Sequence, residues 1–134
     1  MAKSVITTIG IKKMLEARAG IQPLDKITGM AFGDGAVTGE EIAAPDPDSP
    51  QLINELYRQE IDKYEVISDT RIRYICTLKD DTLAGKQINE IGLYDAAGDL
   101  VAIKNFMNKG KDADIEIAFE VDDTFYQEEK GAGA

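Results

Sequence analysis

A run of alternating apolar and acidic residues near the end of the chain limits most strongly what it can fold into. Four apolar residues occupy every second position: Ile115, Ile117, Phe119 and Val121. Because successive side chains of a strand point to opposite faces, this spacing predicts a β-strand with one buried and one solvated face. The spacing recurs over residues 71–78 and predicts a strand with four apolar side chains on one face: Ile72, Tyr74, Cys76 and Leu78.

Further strands are predicted on both sides of these residues. The apolar runs 87–94 and 100–106 bracket a short loop, in which Gly98 supplies the positive φ angle that a hairpin turn needs. Residues 26–32 alternate loosely and run into Gly-Asp-Gly, which predicts a strand closed by a tight turn. A weaker apolar pattern over residues 61–67 predicts one more strand.

Two helices are predicted in the first half of the chain. Residues 4–19 begin with hydroxyl residues and end before Gly20, with a helical stripe formed by Ile11, Met14, Leu15 and Arg18. Ser49 followed by Pro50 places a capping residue before proline at the first helical position. The short second helix predicted there has the stripe Leu52, Ile53, Leu56 and Tyr57.

The predicted fold class is α+β and mainly β: an antiparallel β-sandwich with an N-terminal amphipathic helix and a short second helix. A doubly wound parallel sheet is excluded because helices do not separate the strands of the C-terminal half. We expect a single domain over residues 1–125, with its strands mostly between residues 60 and 121, and a flexible tail at residues 126–134.

Residues 36–50 are predicted to form a long surface loop. The segment is rich in glycine, alanine and aspartate, and prolines at 45, 47 and 50 interrupt any regular pattern. Loops of this length are uncommon in small domains, where they serve a function or are disordered. A docking element and a mobile loop without a function are both open interpretations.

Composition excludes several classes of partner. Fifteen basic and twenty-five acidic residues give a formal net charge of −10, which repels nucleic-acid phosphates and anionic membranes. The chain has no apolar run near the roughly 20 residues that a membrane-spanning helix needs, and its first residues lead into no signal-peptide core. The single cysteine, Cys76, lies within a strand pattern and is expected to pack in the core.

Catalysis finds little support in the sequence. The chain contains no histidine, which is the commonest general base and zinc ligand, and its serines lie in no nucleophile-elbow context. The acidic pairs at 80–81 and 122–123 are adjacent in sequence, so their carboxylates are expected to point apart. The glycine-rich residues 33–35 lack the lysine and helix of a phosphate-binding loop. We predict no enzyme activity, no metal, no cofactor and no small-molecule substrate.

Four groups of motifs occur in a fixed order along the chain. They are Thr-Thr-Ile-Gly at 7–10, Ile-Thr at 27–28 with Phe-Gly-Asp-Gly at 32–35, Leu-Ile-Asn-Glu-Leu-Tyr-Arg at 52–58, and Asn-Glu-Ile-Gly-Leu-Tyr-Asp at 89–95 with Gly-Asp-Leu-Val-Ala at 98–102. In this order they resemble the N-terminal domain of phage tail-collar fibre proteins, found in contractile-tailed phages and phage-tail-like bacteriocins. The resemblance covers most of residues 7–121.

The resemblance implies a domain that anchors a fibre to the phage baseplate, at the head of a longer trimeric chain. The implied partners are baseplate or fibre subunits and further copies of the chain, with a trimer favoured. The implied location is the cytoplasm during assembly and then the phage tail. Since no repeats, shaft-like segment or receptor-binding tip follow the motifs, we expect an attachment fragment or a short adaptor subunit.

The candidate residues are those of the motifs: Gly33, Asp34, Gly35, Asn54, Tyr57, Arg58, Glu90, Gly92, Tyr94, Asp95 and Gly98. The glycines are expected to serve turns or close backbone approach. Arg58 and Glu90 are charges within apolar motifs, and we predict that they pair and hold the second helix against the sheet. Three tyrosines are expected to pack in the core: Tyr57, Tyr74 and Tyr94. The expected attachment surface comprises residues 35–50 and the N-terminal segment through Ile11.

Two other functions remain open at this point. One is a sugar-binding module on a sandwich scaffold, and the other is a glycan hydrolase that uses two carboxylates. The absence of tryptophan and the presence of only four phenylalanines argue against an aromatic platform for sugars, although tyrosines could replace it.

Overall fold

The computed structural model describes residues 2–127. In this part of the chain it contains one helix and ten strands: β1 (Lys3–Ile6), α1 (Thr8–Arg18), β2 (Ile27–Gly33), β3 (Val37–Thr38), β4 (Glu41–Ile42), β5 (Glu55–Glu60), β6 (Lys63–Ser68), β7 (Arg71–Leu78), β8 (Lys86–Asp95), β9 (Leu100–Lys111) and β10 (Ile117–Thr124). No helix in this range combines the length and the apolar character that crossing a bilayer requires.

The strands form two main antiparallel sheets. The larger has five strands in the order β1-β9-β8-β2-β5, the smaller has three in the order β10-β7-β6, and β3 pairs with β4 alone. The chain passes from the larger to the smaller sheet between β5 and β6, where Ile61 N donates to Thr28 O and Asp62 N donates to Ile75 O. The predicted mainly-β antiparallel sandwich with an N-terminal helix is confirmed.

An apolar core fills the space between the two sheets. The larger sheet contributes Met30, Phe32, Ile88, Ile91, Leu93 and Phe106, and the smaller sheet contributes Cys76, Leu78, Phe119 and Val121. The rings of Phe32 and Phe119 meet edge to face with centroids 5.2 Å apart, a geometry that aromatic pairs favour. Cys76 is fully buried, as the strand pattern predicted.

The predicted hairpin is formed by β8 and β9. The two strands pair antiparallel, with Leu93 opposite Ala102. The turn closes where Gly98 N donates to Asp95 O at 2.8 Å, and Gly98 has a φ of +88°. A β-carbon at that φ is strained, so the glycine is required by the turn itself.

The N-terminal helix is shorter than predicted and presents a different face. It begins at Thr8 because the Thr7 side chain caps it, accepting from Gly10 N at 3.1 Å. The preceding residues form strand β1. Of the predicted stripe, Ile11 and Leu15 are exposed, so that part of the prediction is wrong. Gly10 faces the sheet instead, where a β-carbon would lie 2.7 Å from the Val101 carbonyl oxygen.

The predicted second helix is wrong, since residues 55–60 form strand β5. This segment pairs with the edge of β2, with Tyr57 opposite Phe32. Ladder hydrogen bonds along a whole strand outweigh the local i, i+4 spacing that suggested a helix. Leu52, from the same predicted stripe, packs in a second apolar cluster with Ala31, Leu100 and Ile103 on the other face of the larger sheet.

The long loop carries more structure than predicted. Residues 36–50 contain the short β3–β4 hairpin, whose turn includes Gly39 at a φ of +62°. Five of the ten described strands precede residue 61, and the other five, β6 to β10, follow it. Of the predicted tail at 126–134, residues 128–134 lie outside the described residues.

Candidate functional site

A buried carboxylate fastens the long loop to the larger sheet. Glu90 lies on β8 and is 1% exposed. Its Oε2 accepts from Gly35 N and Asn54 N, each at 2.8 Å, and its Oε1 accepts from Ile53 N at 2.8 Å. Three backbone N–H groups thus satisfy a charge that would otherwise be costly to bury. Both ends of the loop are held by one side chain, and we call this arrangement the Glu90 clamp.

Asparagines extend the Glu90 clamp along the loop. Asn89 Oδ1 accepts from Ala36 N at 2.8 Å, and its Nδ2 donates to Asp34 O at 3.0 Å. Asn54 Nδ2 donates to the Asp34 carboxylate at 2.6 Å. Asn105, on β9, donates to Ala43 O at 2.9 Å further along the loop. Asn89 and Asn105 thus satisfy loop backbone that the sheet ladders do not reach.

The two glycines of the Gly-Asp-Gly motif give the carboxylate its room. A β-carbon on Gly33 would lie 2.7 Å from Glu90 Oε2, and one on Gly35 would lie 2.8 Å from Asn54 N. Both contacts are shorter than real β-carbon contacts. Close backbone approach therefore explains both glycines, and neither has the positive φ of a glycine-specific turn.

The predicted pairing of Arg58 with Glu90 is wrong. Arg58 Nε pairs with Glu55 at 2.7 Å, its NH1 donates to Gly98 O at 3.0 Å, and its guanidinium lies 4.9 Å from the centroid of the Tyr94 ring. Glu90 is satisfied by backbone donors on the loop instead. Because β5 is a strand, Arg58 is directed towards the β8–β9 turn.

A second buried carboxylate joins the helix to the hairpin turn. Asp95 Oδ1 accepts hydrogen bonds from Ala97 N and Asp99 N at 3.1 Å each. Its Oδ2 accepts a hydrogen bond from Lys13 Nζ at 2.6 Å. Lys13 also lies 2.7 Å from Asp99 and 3.2 Å from Asp25. Partial burial alone would lower the pKa of Lys13, but the hydrogen bonds to these three carboxylates outweigh it and raise that pKa.

The remaining candidate residues have mainly structural contacts. Gly92 lies where a β-carbon would be 3.0 Å from the Leu100 side chain. Tyr74 and Tyr94 are partly buried and pack against the two apolar clusters. Tyr57 is 37% exposed on the edge strand β5, so its predicted core position is wrong.

The expected attachment segments lie side by side. Thr8 N donates to Pro47 O at 2.8 Å, and the Thr8 hydroxyl donates to the Asp48 carboxylate. Lys3 Nζ donates to Ile42 O at 3.0 Å. We call residues 2–11 and 35–50 together the loop–N-terminus surface. The two segments expected to form the attachment surface are therefore adjacent in the structure.

The acidic pairs do not converge. Asp122 pairs with Arg73 at 2.8 Å on the outer face of the smaller sheet, whereas Asp123 lies on the inner face. The hydrogen bond from Arg73 holds the pKa of Asp122 below its ordinary value, and desolvation raises the pKa of Asp123. Within residues 2–127, no three carboxylates or thiols lie close enough together to hold a metal ion.

Sequence reasoning missed several residues that the structure places in these contacts: Lys13, Asn89 and Asn105. Asn89 and Asn105 interrupt apolar strand patterns, and a polar residue at a buried strand position is the signal that could have identified them. Lys13 had no such signal, because its partner Asp95 is 82 residues away.

Two comparisons with known proteins gave a match to this sequence. The family model described as "Phage tail-collar fibre protein, N-terminal" matches residues 1–120. A probable tail fiber protein of Escherichia phage P2 is 35% identical over 114 residues, which cover 83% of this chain and 16% of that protein. The chain therefore spans a small part of the length of this relative. No solved structure matches significantly.

The match extends over nearly all of the described sheet structure and includes every motif that carries the candidate residues. The chain belongs to the phage tail-collar fibre protein family, through its N-terminal region.

Proposed function

We propose that this chain is a structural attachment domain that anchors a tail fibre to the baseplate of a phage tail or tail-like particle. Membership of the tail-fibre family supports a structural tail component. The observation that supports the anchoring role is the Glu90 clamp. It fastens the loop of residues 36–50 to the larger sheet, next to the N-terminal segment. The proposal includes no catalytic step.

The rigidity of the loop favours a docking role. Ordering a flexible loop on binding costs about 0.5–1.5 kcal/mol for each immobilised rotamer-rich side chain, in addition to backbone entropy. Because Glu90, Asn89 and Asn105 already hold the loop, docking of the loop–N-terminus surface does not carry that cost. A mobile loop without a function would need no buried carboxylate beneath it.

The loop–N-terminus surface is polar and acidic. Glu40, Glu41, Asp46 and Asp48 are all exposed on it. Such a surface recognises its partner by charge and shape complementarity, and each contact is weak. We propose that several copies around a symmetry axis, with a trimer favoured, act together through multivalency. Light scattering on the purified chain measures its stoichiometry.

The same proposal gives the location and the partners of the chain. It folds in the cytoplasm during assembly and then becomes part of the particle. Its partners are baseplate and fibre subunits, and neither nucleic acid nor a membrane is required. A formal charge of −10 supports both exclusions, because it opposes binding to phosphate-rich surfaces.

Co-sedimentation with tail particles that lack their fibres tests the proposal. The wild-type chain is expected to sediment with the particles, and the double variant Glu40→Lys, Glu41→Lys is expected to bind at least about tenfold more weakly. The matched control Asp114→Lys, Glu116→Lys makes the same charge change at exposed residues outside the surface. Wild-type chain that stays in the supernatant, or equal losses for the two double variants, would contradict the proposal.

A further inference from the structure

The sandwich is open at one end, beside the helix. A cavity of about 610 Å³ lies between α1 and the β6–β7 hairpin, and it reaches the edge of the apolar core at Leu93. Its wall includes apolar side chains that are largely exposed: Leu24, Tyr64 and Val66, at 54%, 62% and 67%. We call this cavity the mouth groove.

The exposed residues of the mouth groove continue the inner face of the smaller sheet. Tyr64 pairs with Tyr74 and Val66 pairs with Ile72 across the β6–β7 ladder. Residues that are directly opposite in a ladder share a face, and Tyr74 is on the face that buries Cys76. The core pattern therefore extends beyond the part that the larger sheet covers. A contiguous apolar surface of this kind marks an interaction site.

One carboxylate in this apolar setting, Asp123, has no side-chain partner among the residues that the structure describes. Asp123 continues the inner face of β10 after Phe119 and Val121, lies opposite Ile72, and lines the mouth groove. Within residues 2–127, no ion pair or hydrogen bond joins it to another side chain. Desolvation raises its pKa, so burial costs it hydration that no other group replaces.

The other charges of the mouth groove do not neutralise Asp123. Lys13 is occupied by three other carboxylates, as described above. Lys26 also lines the groove, but it forms no ion pair within the described part of the chain. Asp25 and Asp95 contribute further negative charge. The groove therefore combines apolar walls with an unmatched negative group.

Two aromatic rings complete the arrangement. The rings of Tyr64 and Tyr74 have centroids 6.4 Å apart and are tilted by 50°. Tyrosine faces attract Lys and Arg side chains, and they do so more strongly where water is excluded. The two tyrosine rings and the carboxylate of Asp123 lie together in an apolar groove. This arrangement suits a cationic side chain whose neighbours in its own chain are apolar.

We propose that the mouth groove binds an apolar segment of a neighbouring tail protein that carries one arginine or lysine, with the cation paired to Asp123 and in contact with the Tyr64 and Tyr74 rings. The net charge of −10, together with Asp25 and Asp95 beside Asp123, favours a basic segment as the occupant of the groove. This inference rests on the proposed attachment function and adds a contact outside the loop–N-terminus surface.

Titration of the isotope-labelled chain with short peptides tests the site by NMR. The probes are three capped heptapeptides with a central arginine, citrulline or glutamate between the same apolar residues. The arginine peptide is expected to shift the amides of residues 64–66, 72–74 and 123. It is expected to bind at least about tenfold more tightly than the neutral citrulline peptide, as a charge-assisted pair requires.

Asp123→Asn is expected to remove the preference for arginine over citrulline and to raise the melting temperature of the isolated chain. Asp122→Asn is the matched control, because it neutralises the adjacent carboxylate on the opposite face and should leave the preference unchanged. Tyr64→Ala is expected to weaken binding of the arginine peptide and to keep the fold, since Tyr64 is largely exposed.

The proposal is overturned if no peptide binds, if arginine and citrulline peptides bind equally, or if the shifts map elsewhere. Self-association of the wild-type chain that is lost in Asp123→Asn would assign the groove to a second copy and would also overturn it. The titration uses no tail particle, whereas sedimentation with fibreless tails uses no peptide. Failure of the groove and failure of the attachment proposal are therefore separate results.

Discussion

The two faces of the five-stranded sheet are buried by different means. The inner face packs apolar side chains against the smaller sheet, with Phe32 and Phe119 in contact at its centre. The outer face is covered by the long loop, and its contacts combine a smaller apolar cluster around Leu52 with hydrogen bonds to Glu90 and Asn105. The inner face is held by apolar packing, whereas the outer face adds directed hydrogen bonds from buried polar groups to a smaller apolar cluster.

The two kinds of contact are expected to affect the stability of the domain differently. Apolar packing is non-directional and spreads over many residues, so it stabilises the whole sandwich. Hydrogen bonds to a buried carboxylate are directional, and each fixes one loop amide in one position. We therefore expect changes on the inner face to affect global unfolding and changes on the outer face to release individual covering segments.

The largest effect is expected from truncation on the inner face. Phe32→Ala should lower the free energy of unfolding by about 4 kcal/mol, because it removes buried apolar area and leaves a cavity. Urea denaturation followed by circular dichroism measures the loss. Phe125→Ala removes the same ring at a position that is 49% exposed and should change stability little. Equal losses for the two variants would contradict the apolar account of the inner face.

Glu90→Gln should cost about 3 kcal/mol, because an amide of the same shape presents N–H donors to backbone N–H groups that require an acceptor. The loss should appear first as release of the loop, before the sheets unfold. Glu116→Gln is the control at an exposed glutamate. Thermal unfolding measured by calorimetry and by loop proteolysis distinguishes the two stages. A fully stable Glu90→Gln variant would show that the clamp contributes nothing.

Lys13→Met should cost about 2 kcal/mol, because it leaves Asp95 buried without its cation. Adding Asp95→Asn should recover part of the loss, and the double-mutant cycle isolates the pair. The Lys13 pKa is raised in the folded state above its ordinary value of 10.5. Its contribution should therefore be complete below that pH and should disappear as the pH rises through the folded-state pKa. A wild-type advantage that grows as the pH rises above 10.5 would contradict this.

Cys76 is expected to be unreactive in the folded chain. Burial raises the pKa of its thiol to about 11, so the thiolate fraction at pH 8 is on the order of 0.001. Labelling by a thiol reagent should thus follow global unfolding. Phe32→Ala should accelerate it, whereas Glu90→Gln should accelerate it much less if the loop opens separately. Equal acceleration by the two variants would contradict the separation of the two faces.

The apolar periodicity of the sequence was sufficient to predict most strands of the C-terminal half. Strands β7 and β10 and the β8–β9 hairpin follow from alternation and from Gly98, because most of the side chains that these strands bury between the two sheets are apolar. Strand β5 was not predictable in this way, since its pairing with β2 is a tertiary contact and its residues also fit helical spacing. The helix face was misassigned because Gly10 and Lys13, and not Ile11 and Leu15, meet the sheet.

The candidate site was predictable in its residues and not in its contacts. Gly33, Asp34, Gly35, Asn54 and Glu90 were all selected from motifs, and the structure brings these five together. The bond between Glu90 and Gly35 spans 55 residues of sequence. Local patterns carry no information on a side chain that accepts from distant backbone, so charge pairing with Arg58 was the natural and wrong prediction.

Hydrogen exchange at the amides of Gly35, Ile53 and Asn54 measures whether the Glu90 carboxylate holds the long loop in the folded chain. If the Glu90 carboxylate holds the loop, these amides exchange as slowly as those of the outer sheet strands in the wild-type chain, and they become fast in Glu90→Gln while the strand amides stay protected. Rapid exchange of all three amides in the wild-type chain would contradict a preorganised loop.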